Sequence, residues 1–391
     1  MTRPRAVRIG LALNSRDRDY APELANQYTS RTTRDDVAGA LAGLGAEVVE
    51  VEADAGLFAR LAELAGTLDL VFNLAEGLPH CRSRQVTVPM ALDHLGLEWT
   101  GSLVEGHLVA ANKALARRVL GDRVAQPRWW QVATPQAPLP GEVGFPVLVK
   151  PLQEGFSAGI NEASVATSRA QLRGALRRLG ERMRGPFLVE GFLDGMEYSI
   201  GLVGDVVLPG VCWDLRRMPG QPRVRGEELK RADLTIPHAR LVEDPEVAES
   251  LARQAVTAHL ELGLRDYSRS DFRALGPSPA PFFLETNSMP GLQNQQSVLT
   301  WAAAQAGVAY QDVIGSIAGL ALRRLPPAHW QGLDLEPFEA AYRRLWEHAG
   351  TARVIRVGGR EFRRLAATGE PVAEAALREL AAPSPRSPAP G

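Results

Sequence analysis

Of the 44 lysines and arginines in this chain, only three are lysine: Lys113, Lys150 and Lys230. An ammonium is a compact point charge and a guanidinium is a wide planar fork, so the two do not interchange in a tight phosphate site. In a chain that otherwise uses arginine, a retained lysine marks such a site or survives by chance. Lys150 ends an apolar run, Phe145-Pro146-Val147-Leu148-Val149, and Gln153-Glu154-Gly155-Phe156-Ser157-Ala158-Gly159 follows it. Glycines let backbone N–H groups approach phosphate oxygens, and a lysine at a strand end neutralises charge. A plain hairpin turn reads the same stretch equally well. The P-loop pattern of glycine, four residues and Gly-Lys-Ser/Thr is absent from the sequence.

The carboxylates carry a second signal. Ser268-Arg269-Ser270-Asp271-Phe272-Arg273 precedes Phe282-Phe283-Leu284-Glu285-Thr286-Asn287. Alternation along two paired strands puts Asp271, Glu285 and Asn287 on one face, with Arg269 on the same side. Hard carboxylate and amide oxygens at one point suit Mg²⁺, with Mn²⁺ as a substitute, bridging nucleotide phosphates. A guanidinium beside them can stabilise an oxyanion or a phosphoryl group. A solvated charged face is the alternative. Upstream, Phe187-Leu188-Val189-Glu190 leads through Gly191, Leu193 and Gly195 to Glu197. A strand edge there can bond a purine and a carboxylate can bond ribose hydroxyls, although a strand and a turn explain the pattern too. Asn287-Ser288-Met289-Pro290-Gly291 forms a turn whose N–H groups can face a substrate carboxylate.

These residues need a scaffold of strands. Strand and helix signals alternate through the first hundred residues: strands at Ala6–Leu13, Ala46–Val51 and Leu68–Asn73, helices at Arg34–Leu44 and Gly56–Leu64. Such alternation predicts a parallel sheet with ligands at the carboxyl ends of its strands. Two loops leave those ends, Asn14–Tyr20 and Leu74–Arg84. Residues 105–122 read as one helix carrying Lys113. Ile160–Val165 reads as a return strand, and Ser270–Leu275 with Pro281–Glu285 as a hairpin. Residues 214–238 are polar and without period, a length that suggests a functional loop, and they carry Lys230. After Pro326-Pro327, Leu335–His348 and Glu361–Leu380 read as helices around a short strand at Arg353–Val357, and residues 382–391 as a disordered tail.

Composition excludes several classes. At 391 residues, 45% apolar and 23% charged, the chain is an ordinary globular one of two to three domains. The 44 basic and 45 acidic residues nearly cancel, which argues against a nucleic-acid or acidic-membrane binder. No apolar run reaches the length of a membrane span. The start reads as a first strand rather than a signal peptide, and Cys81 and Cys212 read as free thiols. The expected location is cytoplasmic.

In order and spacing, Lys113, Lys150-Pro151, Glu154-Gly155-Phe156-Ser157, Val189-Glu190, Gly195-Met196-Glu197, Arg269-Ser270-Asp271-Phe272 and Leu284-Glu285-Thr286-Asn287-Ser288-Met289-Pro290-Gly291 resemble the ATP-grasp fold. Within it they are most similar to the D-alanine–D-alanine ligase family, as is Trp99-Thr100-Gly101-Ser102. The resemblance runs from about residue 6 to 325. It implies an α/β architecture: an N-terminal α/β domain over residues 1–104, then subdomains over 105–192 and 193–325 that grip ATP. Residues 326–381 are a helical extension, with an oligomer contact such as a homodimer, a substrate wall and a passive appendage all open. The implied reaction phosphorylates a carboxylate with ATP and lets a second amino acid's amine displace the phosphate. By position, Lys113 and Lys150 would hold phosphates, with Glu154, Gly155 and Ser157 in the loop above them. Glu190 and the backbone of Gly191 and Leu193 would hold adenine, and Glu197 the ribose. Asp271, Glu285 and Asn287 would take Mg²⁺. Arg269 would steady the acyl phosphate, and Lys230 would close over it.

The amino-acid side departs from the family. Its first-loop glutamate is replaced by the shorter Asp17, and its His-Gly after the third strand by Ala75-Glu76-Gly77. Its loop serine is Phe156 and its lid tyrosine is Arg231, so a serine–tyrosine pair is lost. Gly291 and Ser297 are candidates for a second carboxylate. The ATP half is retained and the amino-acid half rebuilt, which points to an amino-acid substrate larger than or differently charged from D-alanine as readily as to D-alanine itself.

Overall fold

The computed structural model describes residues 4–18, 28–79, 81, 83–155, 157–218, 220, 223–226, 236–276, 280–350 and 353–365. Phe156, Lys230, Arg231 and the 382–391 tail lie outside them. Three sheets carry the architecture. The first is parallel, ordered β2-β1-β3, from β1 (Arg8–Leu13), β2 (Glu47–Glu52) and β3 (Leu70–Asn73). From Ile9 to Leu13 its middle strand is a continuous buried apolar run, as a strand covered on both faces requires. Helices Arg31–Gly43 and Leu57–Leu64 cross between the strands, as the alternation predicted.

The second sheet is antiparallel, ordered β4-β7-β5-β6, from β4 (Trp129–Val132), β5 (Val147–Pro151), β6 (Val165–Ala166) and β7 (Phe187–Gly191). The return strand expected over 160–165 is shorter and later. A 3₁₀ turn, Glu162–Ser164, capped by the Asn161 side chain, occupies most of that stretch. Helix Arg169–Arg182 packs Leu172, Leu176 and Leu179 against this sheet.

The third sheet centres on β8 (Glu197–Val203). On one side it carries β9 (Val206–Val207), β10 (Val211–Trp213) and β11 (Arg240–Leu241). On the other it carries β12 (Tyr267–Ala274) and β13 (Pro281–Asn287). Helix Pro245–Glu261 covers one face, its Asp244 cap accepting from the N–H groups of Glu246 and Val247.

Two further expectations are corrected. The helix expected over 105–122 is two helices, Val104–Ala111 and Lys113–Leu120, broken at Asn112. Asn112 is extended, and its side chain accepts from the Leu115 N–H at 3.1 Å, so it caps the second helix rather than continuing the first. The extension is not wholly helical either. Helix Glu336–Ala349 is present, but β14 (Val354–Val357) and β15 (Arg360–Arg364) form a hairpin where a helix from Glu361 was expected. Gly358 and Gly359 both have positive φ, as a two-residue primed turn requires. β15 then adds in parallel to β9 and extends the third sheet. Among the described residues, no helix is long and apolar enough to cross a membrane.

Candidate active site

A cavity of about 330 Å³ opens where the three sheets meet. Its walls include Lys113, Glu154, Gly155, Arg225, Arg269, Glu285, Asn287, Gly291, Ser297 and Glu76. Strand geometry sets the carboxylate end. β12 and β13 pair antiparallel, with Asp271 opposite Glu285 and Arg269 opposite Asn287. Period-2 alternation puts all four on one face, as the sequence predicted. Arg269 grips Asp271 with two bonds, Nε to Oδ1 at 2.9 Å and Nη2 to Oδ2 at 2.8 Å. Ser199 donates to Asp271 Oδ1 at 2.6 Å, and the Asn287 amide donates to Oδ2 at 3.3 Å. Burial pushes the Asp271 carboxyl up, but Arg269 outweighs it and holds the group below the usual range.

Lys113 opens the second of the two helices and spans to this face. Its Nζ lies 3.3 Å from Glu285 Oε2 and donates to the Glu154 carbonyl at 2.7 Å. One cation therefore joins the loop after β5 to the acidic strand. Lys150 is 3% exposed and lies deeper. Its Nζ is 2.9 Å from Glu190 Oε1, and Arg117 holds the other oxygen of that carboxylate. Burial lowers the Lys150 pKa. Burial also pushes Glu190 up, but Lys150 and Arg117 together keep it below its ordinary value. The strand expected to hold adenine thus has its carboxylate charge-paired, with the Gly191 N–H donating to the Arg128 carbonyl at 2.8 Å and Leu193 buried.

Ser157 and the turn after it lie against residues 223–226. Ser157, with φ 55°, donates to the Arg225 carbonyl at 3.0 Å. Arg225 is paired with Glu197 at 2.9 Å and stacks on Trp213 at 3.9 Å. Glu162 and Arg223 add a second link at 3.0 Å. Lys230 itself lies outside the described residues.

Asp17 is not part of the cavity. It is exposed and faces Arg31 at 3.3 Å, while its neighbour Arg16 lines the wall. Glu76 is 9% exposed and takes one side-chain bond, from the Gln85 amide at 3.0 Å. Gly291 and Ser297 face each other across the turn, and Ser297 Oγ accepts from the Gln293 N–H at 3.0 Å.

Arg117, Ser199 and Arg225 were not found from the sequence. Two of them had a signal. Arg117 is one helical turn after Lys113, and Ser199 is two residues after Glu197, so each shares a face with a residue already singled out. Arg225 carries no such spacing.

The donor set at the strand pair suits a hard cation: two carboxylates in register and an amide oxygen, with few protein ligands needed when phosphates complete the shell. Among the described residues, no group of three or more carboxylate, imidazole or thiol side chains is arranged to hold a metal by itself. Asp271, Glu285 and Asn287 would therefore share an ion with a bound phosphate.

Residues 123–318 match the family described as D-ala D-ala ligase C-terminus. The chain is 32% identical over 313 residues to an uncharacterized protein, y4sG, of Sinorhizobium fredii, covering 78% of this chain and 91% of that one. It is 31% identical over 276 residues to a D-alanine–D-alanine ligase of Oleidesulfovibrio alaskensis, covering 68% of this chain and 82% of the other. The fold is similar to a D-alanine–D-alanine ligase of Bacillus anthracis solved in complex with ATP. That match has a TM-score of 0.64 and 20% identity, over 81% of this chain and 98% of that one. At that identity the likeness is one of fold, and the fold is the ATP-grasp architecture expected from the motif order.

Proposed function

The chain belongs to the D-alanine–D-alanine ligase family, and from that premise we propose that it is an ATP-dependent carboxylate–amine ligase that makes a dipeptide or a related amide. The observation that carries the reading is the face built by Asp271, Glu285, Asn287 and Arg269, with Lys113 reaching it from a separate helix. The carboxylate of one amino acid attacks the γ-phosphorus of ATP, and ADP leaves. The amine of a second attacks the acyl carbon of the mixed anhydride, loses a proton, and phosphate leaves.

Each residue has a job in that sequence. Lys113 and Lys150 set cations against phosphate oxygens. Glu190, Gly191, Leu193 and Glu197 border the nucleoside end. Asp271, Glu285 and Asn287 would hold Mg²⁺, which neutralises phosphate charge when bound. Arg269 faces the carboxylate being activated, and its guanidinium is fixed by Asp271 before substrate arrives. Such preorganised donors are worth about 10²–10³ in rate each. Ser157 and Lys230 belong to the segments that would cover the cavity and exclude water from the anhydride.

The test is phosphate release from Mg-ATP with D- and L-amino acids singly and in pairs, and mass spectrometry of the products. An amide mass with stoichiometric phosphate is expected, together with a loss of about 10²-fold or more in kcat for Arg269→Ala. Turnover by Lys150→Ala and Glu285→Ala equal to wild type would remove the site assignment. A phosphorylated acid as the final product would make the chain a kinase instead.

A further inference from the structure

The cavity's charges do not all cancel. Three of its cations are matched: Lys113 with Glu285, Arg225 with Glu197 and Arg269 with Asp271. Its acidic Glu154 is matched by Arg84 at 3.1 Å. Two groups remain. Glu76 is buried in the wall and bonded by a neutral amide, the Gln85 side chain, and the cation whose charge reaches it, Arg84, is shared with Glu154. Arg16 lines the same cavity and donates to the Tyr28 carbonyl at 3.2 Å, with no carboxylate partner among the described residues.

The placement of Glu76 is fixed by its loop. The Asn73 side chain accepts from the Ala75 N–H at 3.1 Å, and the Asn14 side chain accepts from the Gly77 N–H at 3.0 Å. Gly77 has φ 95°, and a Cβ there would fall 1.7 Å from the Arg84 carbonyl oxygen, so the turn tolerates no side chain. The carboxylate is therefore held in the cavity before any ligand enters. Arg16 comes from the loop after β1, which runs beside Thr29 through a 3.0 Å backbone bond. A buried carboxylate whose one nearby cation, Arg84, is shared with Glu154 faces the same cavity as an exposed arginine with no carboxylate partner among the described residues, and a buried charge short of its counter-charge is costly until a ligand matches it.

We propose that the amino acid activated in this site carries one ammonium and two carboxylates: Glu76 takes the ammonium, Arg16 takes one carboxylate, and the other is phosphorylated beside Arg269. This rests on the ligase reading above. Aspartate and glutamate have this charge pattern and alanine does not. Either the α- or the side-chain carboxylate can be the one activated, since the two charges are equivalent to the pair of anchors.

The experiment uses the full chain with Mg-ATP and D- and L-aspartate, D- and L-glutamate and D- and L-alanine, each with a panel of acceptor amines. A dicarboxylic amino acid is expected to outpace alanine in kcat/KM by about tenfold or more. Arg16→Gln is expected to raise its KM roughly ten- to hundredfold with little change in kcat, the range for a lost charge-assisted bond. Arg16→Gln should leave the KM for alanine in place. Glu76→Gln, an isosteric change, should raise the KM for both amino acids while the affinity for ATP, read by calorimetry, holds. Tandem mass spectrometry of the amide tells α- from side-chain linkage, and either supports the assignment. Alanine preferred over both acids, or an Arg16→Gln effect confined to the KM for ATP, overturns it and leaves the ligase reading standing. ATP binding with no turnover on any amino acid overturns both.

Discussion

Arg117 sits one turn after Lys113 and is fully buried, with its guanidinium on Glu190 and on the Leu284 carbonyl at 3.1 Å. Glu190 is thereby shared between Arg117 and Lys150, three buried charged groups in contact. Removing one partner of such a cluster leaves charge unpaired, at a cost of about 3 kcal/mol with Lys150 still present. Arg117→Met is expected to lower the urea midpoint accordingly and to weaken ATP binding, read by calorimetry. A midpoint within error of wild type would show that Lys150 alone suffices for Glu190. At this scale the sequence was informative where residues share a strand or a strand pair. Asp271, Glu285, Asn287 and Arg269 were placed by alternation, and the register bears that out. It was silent where partners are far apart. Nothing local links Lys113 to Glu285, or Arg225 to Glu197, because those contacts depend on how separate elements pack. Asp17 shows the converse: in the loop after β1 its charge is turned to Arg31, and its neighbour Arg16 lines the cavity wall.

Among the elements, the extension is held by close helix packing rather than by its own sheet alone. Helix Tyr310–Leu322 meets helix Glu336–Ala349 over Gly315 and Gly319. A Cβ at Gly319 would sit 2.9 Å from the Phe338 carbonyl oxygen, and one at Gly315 would sit 2.8 Å from Ala341 Cβ and 2.6 Å from Leu44 Cδ1. In an exposed helix, Gly→Ala gains up to about 1 kcal/mol. Here backbone must move, so the sign reverses, and Gly319→Ala is expected to destabilise by about 1–3 kcal/mol, the usual range for overpacking. Thermal unfolding of the variant checks it, and a raised melting temperature would mean the two helices separate freely. Element type was readable where period was strong, as in the parallel first sheet. The misread hairpin had a signal: Val354–Val357, Gly358-Gly359 and Arg360–Arg364 form the spacing of a two-residue turn. The Ala-, Glu- and Leu-rich run after Glu361 masked it. The break at Asn112 was lost in the same way, because an asparagine cap inside a helical composition carries little weight until its bond to Leu115 is seen.

For the molecule as a whole, the extension is part of the core and also of its response to acid. Phe338, Leu345, Ile355 and Phe362 are buried against the third sheet and its helices. The hairpin also brings Arg360 toward His259, which is buried on helix Pro245–Glu261 with its Nδ1 2.8 Å from Ser268 Oγ. Burial, aided by Arg360, lowers the His259 pKa to about 4 from an ordinary 6.5. The unfolded chain therefore binds a proton between about pH 6.5 and pH 4 that the folded chain refuses. The stability this group contributes is complete above pH 6.5 and is lost as pH falls toward 4, up to about 3 kcal/mol. His259→Gln keeps a side chain that can bond Ser268 and removes the titration. It is expected to be less stable than wild type near neutrality because the fit is poorer. The gap should narrow steadily below about pH 6.5, as the wild type alone must then exclude a proton. Urea midpoints for both proteins across that range measure it. Parallel curves would mean that His259 is protonated in the fold without penalty, and that the acid limb belongs to other groups.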